Sequence, residues 1–129
     1  MKRVLLVDDQ IEWRDVFKAV LKQKFKELEI QECQGMEDTL EVLKTQVFDL
    51  AIVDLRLVDE SSSNVQGLSL LREVKARSPE TKVILATAYP AQVEGKHQEA
   101  DEFLRKVPKL ELFDIKQFQE IVRRLLNSP

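Results

Sequence analysis

Five residues define the chemistry this chain could perform: Asp8, Asp9, Asp54, Thr87 and Lys106. Asp8 and Asp9 follow the apolar run V-L-L-V, Asp54 follows L-A-I-V, and Thr87 closes K-V-I-L-A-T. Lys106 ends D-E-F-L-R-K. A lone acid after an apolar run is readily a helix cap. Three carboxylates brought to one place would repel each other unless a cation neutralised them. With no His or Cys among them, the donor set favours a hard ion, and Mg²⁺ suits a few carboxylates that leave room for water and a phosphate oxygen. A carboxylate can also attack a phosphoryl group to give an acyl phosphate. The metal, an ammonium and a hydroxyl would then hold the charge on the phosphoryl oxygens. Asp54, Lys106 and Thr87 supply the nucleophile and two of those three groups.

That chemistry requires elements that deliver all five residues to one edge. The apolar runs R-V-L-L-V, F-D-L-A-I-V-D and K-V-I-L-A-T are short and contain β-branched members, as expected for strands covered on both faces. L-E-I-Q-E-C alternates and reads as an edge strand with one wetter face, and D-E-F-L-R-K reads as a brief last strand. Between them run helical patterns. Trp13, Phe17, Val20, Leu21 and Phe25 mark the first, over about Gln10 to Lys26, and Leu40 and Leu43 mark the second, over Glu37 to Gln46. Gly67 opens the third, with Leu68, Leu71 and Val74 on its buried face and Ser78-Pro79 at its end. The region from Tyr89 to Ala100, interrupted by Pro90 and Gly95, holds at most a short helix. Asp114 caps the last helix, with Gln117 at capping-box spacing and Phe118, Val122 and Leu125 facing inward. Strict alternation of strand and helix predicts an α/β fold, with right-handed crossovers, a parallel sheet and helices on both faces. Ligands in such sheets sit beyond the carboxyl ends of the strands, which is where all five residues fall.

Composition narrows the function classes. The 129 residues suffice for one compact domain, and the charged share of 33% is somewhat high beside 43% apolar. Lys and Arg number 20 against 23 for Asp and Glu, a net charge of −3 that argues against direct nucleic-acid or anionic-membrane binding. The single Cys33 excludes an internal disulfide, reads as a buried core residue and fits a reducing, cytoplasmic setting. The single His97 has no second histidine beside it for a metal site. No run resembles a signal peptide or is long enough to span a bilayer.

Taken in order, V-L-L-V-D-D, V-D-L-R-L, I-L-A-T-A and A-D-E-F-L-R-K resemble the receiver domain of two-component response regulators, along essentially the whole chain. The resemblance implies a flavodoxin-like doubly wound sheet of five parallel strands in the order 2-1-3-4-5. It implies that Asp54 is the phosphoacceptor, and that Asp8, Asp9, Asp54 and the backbone carbonyl of Arg56 hold Mg²⁺. Thr87 and Lys106 would contact the phosphoryl group, and Thr87 with the aromatic Phe103 would form a switch linking phosphorylation to a surface change. Implied partners are a sensor histidine kinase or phosphotransfer protein upstream, and a protein target or output domain downstream. Such a domain phosphorylates and dephosphorylates itself without being a turnover enzyme. Arg56 and Tyr89, each two residues past Asp54 or Thr87, would shield an acyl phosphate from water and slow its loss.

Three features depart from the family pattern. The loop from Asp54 to Gly67 is long, lacks the usual proline and carries the polar stretch D-E-S-S-S-N, Asp59 to Asn64, which reads as a tolerated insertion. Lys106 is followed by Val107 and then Pro108, where the family has proline directly after the lysine, so the aim of Lys106 is the least defined part of the site. The stretch from Thr87 to Lys106 is short, which predicts an abbreviated fourth helix and puts the family's usual dimer face in question, with a homodimer left open. Other readings fit less well. A haloacid-dehalogenase-type phosphatase needs an Asp where Arg56 stands, and Gly35, Gly67 and Gly95 form no dinucleotide-binding cluster. The competing reading is a pseudo-receiver, a protein-binding module of this fold that works without phosphorylation. The chain is expected either to stand alone as a receiver or to be a piece of a longer regulator.

Overall fold

The computed structural model describes residues 1–54, 66–87, 99–107 and 110–127. The strands are β1 (Lys2–Val7), β2 (Leu28–Cys33), β3 (Leu50–Asp54), β4 (Lys82–Thr87) and β5 (Glu102–Arg105). The helices are α1 (Ile11–Lys24), α2 (Met36–Leu43), α3 (Gln66–Arg77) and α4 (Ile115–Leu126). The strands form one parallel sheet in the order β2-β1-β3-β4-β5. The fold is therefore the flavodoxin-like, doubly wound α/β sheet expected from the sequence. Four α-helices among the described residues agree with an abbreviated fourth crossover helix, although the segment it would occupy, 88–98, lies outside them.

Alternation along each strand splits the core in two. Val4, Leu6, Leu50, Ile52, Ile84 and Ala86 face one side, where α1 and α4 cover them with Trp13, Phe17, Phe118 and Val122. Leu5, Val7, Ala51, Val53, Val83 and Leu85 face the other side, under Leu68, Leu71 and Val74 of α3, with Leu40 and Leu43 of α2 packed against them. The three central strands are consequently apolar at almost every position, whereas β2 at the edge is only half-buried along most of its length. On the first side the core is aromatic. Phe17 and Phe118 pack with tilted rings at 5.1 Å between centroids, and Phe113 meets Trp13 edge-on at 5.5 Å. Among the described residues no helix is long and apolar enough to cross a membrane.

Two helix ends differ from the sequence expectation. α1 stops at Lys24, and Phe25 turns extended while its N–H still bonds the Leu21 carbonyl at 2.9 Å. That turn lets the half-buried Phe25 pack against the edge of the core. α2 stops at Leu43, followed by a tight turn in which the Lys44 and Gln46 N–H groups bond the Glu41 and Val42 carbonyls at 3.3 and 3.1 Å. Ending there lets Phe48 reach the second core before β3 begins. Asp114 caps α4 as expected, accepting the Gln117 N–H at 3.0 Å.

Candidate functional site

The parallel register carries the acids to one rim. β1 ends at Val7, opposite Val53, so Asp8 and Asp54 each stand one residue beyond that pair. Asp54 is itself opposite Ala86, which places Thr87 one step further along β4. Thr87 in turn pairs with Arg105, and Lys106 follows immediately, its backbone N–H bonding the Thr87 carbonyl at 2.7 Å. Four neighbouring strands thus end together on charged or hydroxyl residues. Continuous burial of the strands beneath explains why nothing else apolar competes for that edge.

The site is buried as well as charged. Asp8 is 1% exposed, Asp54 2%, Lys106 3%, and Thr87 is fully covered, while Asp9 is half-buried. One carboxylate oxygen from each of Asp8, Asp9 and Asp54 lies within 4.8 Å of the other two. The Lys106 ammonium sits 3.1 Å from Asp8 Oδ2 and 3.4 Å from Asp54 Oδ2. It also donates to Gln10 Oε1 at 3.0 Å and lies 5.4 Å from the centre of the Trp13 ring. Among the described residues, one ammonium thus lies against two of the three clustered carboxylates. Burial pushes the Asp8 carboxyl above its ordinary value; Lys106 and the Gln10 N–H, which bonds Asp8 Oδ1 at 2.9 Å, pull the other way, and the Asp9 charge adds to the rise. Among the described residues, Asp9 Oδ1 is buried without a hydrogen-bond partner.

A hard divalent cation fits this arrangement. Oxygens on opposite sides of a Mg²⁺ lie about 4 Å apart, so three oxygens within 4.8 Å of one another need only small side-chain adjustments to converge on one ion. The buried Asp9 oxygen, without a hydrogen-bond partner among the described residues, is a ligand atom in want of a positive charge.

Of the expected site residues, Asp8, Asp9, Asp54, Thr87 and Lys106 lie together at this rim. Phe103 is on β5 opposite Leu85, half-buried and packed against the second core. Arg56, Tyr89, Pro108 and the Asp59–Asn64 stretch lie outside the described residues. Two neighbours of the site carry no signal in the sequence pattern. Gln10 follows the acids and reads as the start of a helix, yet its side chain reaches Lys106. Arg14 falls among the charged residues of α1, yet it is buried, donating through Nη1 to the Asp8 carbonyl at 2.8 Å and through Nε to Glu32 at 3.1 Å. It ties the loop carrying the acids to strand β2.

Comparison with known proteins agrees with this architecture. The response regulator receiver domain family matches residues 4–122. The response regulator protein PilR of Pseudomonas aeruginosa is 31% identical over 88 residues, 68% of this chain and 18% of that protein. The sensory transduction protein LytT of Bacillus subtilis is 34% identical over 89 residues, 69% of this chain and 35% of that protein. The chain thus spans well under half the length of these relatives. Among solved structures, the response regulator TrrA of Thermotoga maritima, crystallised with Mg²⁺ and beryllofluoride, superposes with a TM-score of 0.79 at 28% identity. That match covers 97% of this chain and 99% of the other. The receiver domain of NtrX from Brucella abortus shares the fold, with a TM-score of 0.79 at 22% identity over 98% of this chain and 99% of its own.

Proposed function

Because this chain belongs to the response regulator receiver domain family of two-component signalling, we propose that Asp54 accepts a phosphoryl group from a histidine kinase or phosphotransfer protein. A carboxylate oxygen of Asp54 attacks phosphorus, the bond from phosphorus to the donor nitrogen breaks, and the imidazole leaves. Asp8, Asp9, Asp54 and, as the family resemblance implies, the backbone carbonyl of Arg56 would hold Mg²⁺, which when bound would neutralise charge on the phosphoryl oxygens. Lys106, already against Asp8 and Asp54, supplies a second positive charge, and the Thr87 hydroxyl supplies a hydrogen bond. Thr87 and Phe103 then carry the change to the surface, where a target protein or an output domain reads it as a population shift. The Mg²⁺ and beryllofluoride bound to TrrA lend this reading support. The domain signals in the cytoplasm and turns over no separate substrate.

One observation carries the proposal: three carboxylates with oxygens within 4.8 Å of one another, two of them bridged by a buried lysine, at the carboxyl edge of a parallel sheet. The test is incubation with Mg²⁺ and a small phosphoramidate donor, followed by intact-mass measurement. The expected result is addition of one phosphoryl group, lost in Asp54→Asn and on chelation of the metal. Folded wild-type protein that takes up none would refute phosphoacceptance and leave the pseudo-receiver reading in its place.

A further inference from the structure

A buried lysine at the end of a flexible four-carbon stem needs something to aim it. The backbone of Lys106 is fixed by its N–H bond to the Thr87 carbonyl, and Val107 packs beside the first core. The ammonium has three donors. Two of its partners, Asp8 and Asp54, are the groups that a metal ion and a phosphoryl group would claim. The third, Gln10 Oε1 at 3.0 Å, is neutral and makes the shortest contact of the three. The Trp13 ring, the chain's only tryptophan, lies 5.4 Å from the ammonium as an apolar wall with cation–π character.

Gln10 occupies an unusual position for such a role. It is the N-cap of α1, where a Ser, Thr, Asp or Asn side chain would ordinarily bond the first free N–H groups. Its side chain caps nothing there. The capping region is instead held by backbone, with the Gln10 carbonyl accepting from the Trp13 and Arg14 N–H groups at 3.2 Å each. The amide oxygen crosses from the β1–α1 loop to the residue after β5 and is spent on Lys106.

We propose that Gln10 is the positioning residue for Lys106, holding the ammonium at the rim against the Trp13 face when metal and phosphoryl group draw Asp8 and Asp54 away. A neutral acceptor suits the task, because it orients the cation without adding a fourth negative charge to the site. A glutamate would hold the lysine at the cost of repelling the incoming anion. This inference rests on the phosphoacceptor reading for its purpose, but the Gln10–Lys106 contact can be tested without it.

The test uses Gln10→Met, which keeps length and removes the amide oxygen, alongside wild type, Gln10→Glu, Lys106→Met and the Gln10→Met, Lys106→Met double variant. In Mg²⁺-saturated protein, where the metal draws Asp8 and Asp54 away from the ammonium, the Lys106 methylene protons are read by NMR for the upfield displacement imposed by the Trp13 ring. Beryllofluoride affinity is then measured with saturating Mg²⁺. In Gln10→Met the displacement is expected to collapse, and beryllofluoride affinity to fall about tenfold, the scale of a lost charge-assisted hydrogen bond. Gln10→Glu is expected to restore the displacement and not the affinity. Added to Lys106→Met, Gln10→Met is expected to cost nothing further. Unchanged Lys106 resonances and affinity in Gln10→Met overturn the inference, as does an equal loss in the Lys106→Met background. Wild type that ignores beryllofluoride overturns the phosphoacceptor reading and with it the purpose given to Gln10, whatever the resonances show.

Discussion

Replacing Asp8 by Asn should stabilise the metal-free protein and remove most of what Mg²⁺ adds. With an effective dielectric constant near 20, the Lys106 ammonium at 3.1 Å attracts the Asp8 carboxylate by about 5 kcal/mol. Asp9 and Asp54, each with an oxygen within 4.8 Å, repel it by about 3.5 kcal/mol apiece, about 7 kcal/mol together. The charge is therefore opposed by about 2 kcal/mol before the cost of burying it at 1% exposure, which has the same sign. The upward shift of its carboxyl agrees. Asn keeps an oxygen for the Gln10 N–H but turns its NH2 toward the Lys106 ammonium, which keeps Asp54 and Gln10, so that donor–donor contact offsets part of the gain. Urea unfolding without metal should show Asp8→Asn more stable than wild type by about 1–3 kcal/mol. Mg²⁺ at a hundredfold excess over its dissociation constant should raise wild type by about 2.7 kcal/mol and the variant far less, so the order of stability closes or inverts. A metal-free Asp8→Asn that is less stable than wild type would refute the electrostatic reasoning. Equal gains from Mg²⁺ in both proteins would refute the assignment of Asp8 to the ion.

Two other perturbations probe the scaffold around the site. Glu32 is lifted by partial burial but held below its ordinary value of 4.5 by the combined pull of Lys18 and Arg14. A depressed carboxyl contributes stability above the unfolded value and loses it as pH falls through the folded one. Glu32→Gln should therefore cost about 1 kcal/mol at neutral pH, discounted for a side chain about one-third exposed. Unfolding curves should show that cost shrinking as the pH drops below 4.5, and a cost independent of pH would count against the ion-pair account. Phe118 is fully covered and meets both Phe17 and Phe113, so Phe118→Ala should cost about 3–5 kcal/mol in urea unfolding. A loss below 1 kcal/mol would show that the aromatic core re-forms around the cavity, against the rigid packing inferred from its geometry (about 1 kcal/mol being the scale of a single buried methylene).

Much of this protein was legible in its sequence because its signals are short-ranged. Runs such as Val4–Val7 and Leu50–Val53 declare strands buried on both faces, and the residue that ends each run declares what reaches the edge of the sheet. Asp8, Asp54, Thr87 and Lys106 all end or follow strands as that pattern implies. The order of the strands came through family resemblance, since periodicity does not say which strand lies beside which.

Tertiary structure alone decided how the charges are partnered. Nothing in the local pattern marks Gln10, 96 residues from Lys106, as the acceptor of its ammonium, because a glutamine at a helix start has no periodicity to betray it. Arg14 likewise sits among charged residues of α1, but the fold brings Glu32 of β2 and the Asp8 carbonyl to its guanidinium together, and it is buried. The acids announced a need for positive charge. Which side chains hold Lys106, the buried lysine beside them, depends on contacts made only after the sheet has closed its register.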